Sequence, residues 1–60
     1  MNEYAMKLAE TIRSNPEWDM EAIAELCEMA GMADEWEAAD GDTFEAVAYA
    51  AAEKMGVEIV

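Results

Sequence analysis

The stretch NPEWDMEAIAELCEMAG, residues 15–31, reads as one helix with a start, two faces and a stop. Asn15 can cap it, and Pro16 suits a first helical position, where a missing N–H costs nothing. Asp19 is the alternative N-cap, with residues 16–18 then forming a turn. Gly31 suits the left-handed residue that closes a helix. Ala22, Ile23, Leu26, Cys27 and Ala30 recur at three- and four-residue steps, so they share one face. Glu17, Glu21, Glu25 and Glu28 recur in the same way on another. One side can be buried, and the other presents only negative charge.

Before this stretch, Tyr4, Leu8 and Ile12 fall four apart within residues 2–14, flanked by Ala5 and Ala9, which predicts a first helix with a narrow apolar face. Glu3 and Lys7 have the spacing of a favourable helical ion pair. Ser14, Asn15 and Pro16 end that helix, because a residue before proline is pushed out of helical geometry. Beyond Gly31, residues 34–39 allow one or two helical turns with Trp36 directed inward. Asp40, Gly41 and Asp42 read as a turn. Asp42 or Thr43 can cap a third main helix over 43–55, with Glu45 at the capping-box spacing from Asp42. Its buried face would be Phe44, Val47, Ala48, Ala51 and Met55, and its alanines invite close approach by another helix. Gly56 stops it. Residues 57–60 form a tail that either packs as an extended segment or pairs with the same tail of a second copy.

The predicted fold is all-α: a small bundle of three helices plus a short fourth helical turn, with an extended C-terminal tail. The expected core is Leu8, Ile12, Trp18, Ile23, Leu26, Trp36, Phe44 and Val47. A chain of 60 residues makes a single small domain, and one this short hides only about 60% of its unfolded surface. Small domains are often stapled by disulfides, a metal or self-association. Cys27 is the only cysteine and histidine is absent, so self-association is the staple left open, as a homodimer.

Fifteen acidic residues against three basic ones give a net charge of −12, and residues 14–52 contain no lysine or arginine. Such a surface repels nucleic acid and anionic membranes and attracts basic partners. No leader or spanning segment is read from the sequence, and a cytoplasmic location is the expectation. Along a helix the glutamates would stand about 6 Å apart, a spacing of the same order as the charges of a nucleic acid strand. One such stripe reads most simply as a solvated face that keeps an apolar chain soluble. A second cluster, Asp34, Glu35, Glu37, Asp40 and Asp42, with no lysine interleaved, shifts the balance toward a basic partner, since unrelieved repulsion destabilises a fold.

Other chemistries fit less well. Residues 34–45 begin with an acid and end in glutamate as a calcium loop does, but Trp36, Ala38 and Ala39 stand where ligands and a glycine are required. Paired carboxylates need a cleft that separates their environments, and a chain of this size leaves little room for one. Cys27 on the apolar face reads as a structural thiol. No catalytic residue, cofactor or metal is therefore expected. Tyr49 and the methionines Met6, Met20, Met29 and Met32 are the candidates for a second, apolar contact surface.

NPEWDMEAIAELCEMAG followed by DGDTFEAVAYAAAEKMGVEI resembles the short accessory proteins of bacteriophages and other mobile elements. The resemblance implies action on host machinery, in the manner of the acidic anti-restriction and anti-CRISPR inhibitors that imitate DNA. The expected function is thus a non-enzymatic acidic module that blocks a basic, nucleic-acid-binding protein without binding nucleic acid itself. The alternative is a small assembly protein, as a homodimer or a subunit of a phage-type complex.

Overall fold

A computed structural model describes residues 3–60. Four helices follow one another: α1 (Glu3–Ser14), α2 (Met20–Met29), α3 (Ala33–Ala38) and α4 (Phe44–Met55). No strand occurs among the described residues. α2 packs against each of the other three helices, and α3 also packs on α4. The segment that carries the most complete helical signal is thus the centre of the molecule.

Of the two starts open to α2, the structure takes Asp19. Its carboxylate accepts from the Ala22 N–H at 3.1 Å, and its carbonyl accepts from Ile23 at 3.0 Å. Asn15 supports this cap from outside, its amide approaching Asp19 Oδ2 at 3.3 Å and the Thr11 carbonyl at 3.2 Å. Both long apolar helices, α2 and α4, end in one motif. Met32 N–H donates to Cys27 and Gly31 N–H to Glu28; Val57 N–H donates to Ala52 and Gly56 N–H to Glu53. These are paired Schellman bonds, and they require the positive φ of 74° at Gly31 and 70° at Gly56.

The start of α4 differs from the sequence expectation. Neither Asp42 nor Thr43 caps it; Thr43 makes no side-chain cap bond. Asp40 does the work instead. Its Oδ1 accepts from the N–H groups of Asp42 at 2.9 Å and Thr43 at 3.1 Å, while the Asp40 N–H donates to Thr43 Oγ1 at 3.0 Å. This is a capping box shifted two residues upstream, with threonine in the place of glutamate. The Glu3–Lys7 ion pair is not closed among the described residues, where no acid and base approach within 4.0 Å.

The core is narrower than expected and built largely of alanine. Ala5, Ala9, Ala22, Ala48, Ala51 and Ala52 are buried with Leu8, Ile12, Ile23, Leu26, Cys27 and Ile59. Trp18, Trp36 and Val47, expected inside, are only partly buried against this cluster, and Phe44 is itself only half-buried. Alanine faces let helices approach too closely to leave space for wide rings, which stack along the margin instead. Trp18 stands edge to face with Phe44 and with Tyr49, both at 6.0 Å, and Trp36 does so with Phe44 at 6.4 Å. The tail folds back: Ile59 is buried, and the Arg13 guanidinium of α1 donates to the Glu58 carbonyl.

Candidate functional site

All nine carboxylates singled out in the sequence are exposed. Glu21, Glu25 and Glu28 lie on α2, one turn apart on the side away from Ile23 and Leu26. Glu17 precedes the Asp19 cap, so it stands off the helix, and the helical row is one residue shorter than its spacing implied. Asp34, Glu35 and Glu37 lie on α3, and Asp42 sits in the turn before α4. Because α2 packs on α3, the two acidic groups belong to adjoining elements.

Two of the nine carry structural duties. Asp40 holds the start of α4, and the Asp42 N–H, followed by the Thr43 hydroxyl, keeps its carboxyl below the usual aspartate range. Glu25 receives the Tyr4 hydroxyl from α1, at 2.8 and 2.9 Å from its two oxygens. That bond, with burial and the charge of Glu25 as lesser causes, raises the Tyr4 phenol above its ordinary value. Glu17, Glu21, Glu28, Asp34, Glu35, Glu37 and Asp42 are the carboxylates presented to solvent without such a task among the described residues.

Cys27 is wholly buried, and burial, then the charge of Glu35, pushes its thiol up. A thiol so placed is a poor nucleophile. Among the described residues no three side chains of the ligating types are grouped to hold a metal ion. The hollows of the surface are open. One, between α3 and α4, is lined by Gly31, Met32, Glu35, Ala50, Glu53 and Lys54; another, beside α1 and the tail, by Met6, Ala9, Arg13, Met55 and Val57.

The candidate apolar contact residues divide. Met6, Met20 and Tyr49 are 43–48% exposed, as expected of contact residues. Met29 and Met32 pack against the core instead and are only partly exposed. Tyr4, at 50%, joins the exposed group; its place on the apolar stripe of α1 hid this, although its spacing from Ile12 and Leu8 was regular. No described helix is long and apolar enough to cross a membrane.

No protein-family model, curated protein or solved structure matches the chain.

Proposed function

We propose that the chain is a non-enzymatic acidic helical module that binds a basic protein surface. Its mechanism is to occupy a nucleic-acid site as a mimic, in the manner of anti-CRISPR and anti-restriction inhibitors, inside the host cell's cytoplasm. The observation that carries this reading is the exposed row Glu21, Glu25, Glu28 adjoining the acids of α3, on a chain with no base in residues 14–52. Carboxylates one helical turn apart offer a basic channel regularly spaced negative charge. A rigid helix presents them with less ordering cost than a flexible acidic tail.

The test uses charge reversal at positions that do not hold the fold. Glu25 is unsuitable because Tyr4 bonds to it. Glu21→Lys with Glu28→Lys changes the net charge by four units and leaves the caps intact. Captures from lysate of the source cells, with wild type and this double variant as bait, should differ by a basic nucleic-acid-binding protein that high salt releases. The same proteins on both baits, indifferent to salt, would refute the electrostatic mechanism.

A second reading, an assembly role, draws on the exposure of Met6, Met20 and Tyr49. Light scattering over a dilution series tests it, since a strict monomer at high concentration excludes a homodimer.

A further inference from the structure

Tyr49 is 43% exposed on α4, and its ring is held edge to face by Trp18 at 6.0 Å. Glu45 and Glu53 stand four residues before and four after it, which places a carboxylate one helical turn away on either side of the ring. Both are exposed. Lys54, the one base of this helix, projects about 140° round the axis from Tyr49 at 100° per residue. Trp18 is fixed in turn by its edge contact with Phe44 and by packing on the core, so the aromatic pair is braced from behind.

An exposed aromatic ring bracketed by carboxylates suits one kind of side chain. We propose that Tyr49, with Trp18, Glu45 and Glu53, forms a docking point for an arginine of the basic partner. A guanidinium can lie flat on an aromatic ring and donate its fork to a carboxylate at the ring's edge, whereas an ammonium is compact and more strongly hydrated. The complement in charge is set by the whole chain, at −12. The inference rests on the acidic-module reading and deepens it. It names the partner's side chain and puts a specific anchor on α4, apart from the carboxylate row of α2.

Two peptides of equal length and charge, alternating glycine with arginine or glycine with lysine, test it by calorimetric titration. The wild-type chain should bind the arginine peptide more tightly, by up to about two- to fivefold, the whole worth of an exposed cation–aromatic contact. Tyr49→Leu and the pair Glu45→Gln with Glu53→Gln should each abolish that preference; Glu21→Lys with Glu28→Lys should weaken both peptides and keep it. Circular dichroism checks folding, and the glutamine pair decides if the leucine variant does not fold. Equal affinities in the wild type, or a preference that survives both changes, would overturn the arginine site while leaving the acidic-module reading standing. Binding of neither peptide would overturn both.

Discussion

The Tyr4 hydroxyl of α1 meets the Glu25 carboxylate of α2, 2.8 Å from one oxygen and 2.9 Å from the other. It ties the first helix to the central one across the surface, outside the apolar core. It also removes Glu25 from the set of carboxylates that a partner can reverse or neutralise without disturbing the fold.

The bond has a signature at alkaline pH. The phenol is raised in the folded state, first by the hydrogen bond to Glu25. Its contribution is therefore complete below the ordinary tyrosine value and is lost as pH rises through the raised value. Tyr4→Phe should be less stable than wild type at neutral pH, and the difference in urea midpoint should shrink in that alkaline window. A difference that stays constant there would show that the hydroxyl does not titrate against Glu25.

Asp40 gives the opposite sign. Its carboxyl is lowered by the N–H groups and hydroxyl it accepts from Asp42 and Thr43. Its contribution is present above the ordinary aspartate value and fades as pH falls through the lowered one. Asp40→Ala should lower the thermal midpoint at neutral pH and converge with wild type in acid. Asp42→Ala should do little, because the Asp42 carboxylate accepts no cap bond. The reverse order would restore the cap to Asp42.

The core leaves little margin. Ile23, Leu26 and Cys27 are its largest fully buried side chains. Leu26→Ala should cost about 2–5 kcal/mol, against about 3–5 kcal/mol for the whole core of a domain this small. The variant should be largely unfolded at room temperature, with its circular dichroism close to that of the urea-denatured chain. Labelling of Cys27 by a thiol reagent provides a second readout. In the wild type the rate should follow global opening, and in Leu26→Ala it should approach that of a free thiol.

Repulsion should make the wild type salt-dependent in an unusual direction. Twelve uncompensated charges on a small body destabilise the compact state, and salt screens them over about 8–10 Å near physiological strength. The thermal midpoint should therefore rise with added sodium chloride. A fall would mean that ion pairs, not repulsion, dominate the surface.

Helix identity and stop signals were legible in the sequence because each rests on local chemistry. Gly31 and Gly56 close α2 and α4 with the same pair of backbone bonds, as their positions implied. The start of α4 was harder: Asp40, Asp42 and Thr43 are all competent caps, and only the path of the turn from α3 selects Asp40. The aromatic placements were also illegible. Trp36 and Phe44 have the spacing of core residues, but the width left between alanine-faced helices is a tertiary property. Exposure of the acidic rows followed from periodicity. The engagement of Glu25 by Tyr4 did not, because it joins residues 21 apart.

The most direct measurement is the affinity of the captured basic partner for wild type and for Glu21→Lys with Glu28→Lys, at low and high salt, with and without competing nucleic acid. Binding that weakens with salt, falls at least tenfold on charge reversal and is displaced by nucleic acid is the predicted result. Affinity unchanged by the reversal, or a ternary complex in which partner, chain and nucleic acid coexist, would contradict mimicry by the acidic surface.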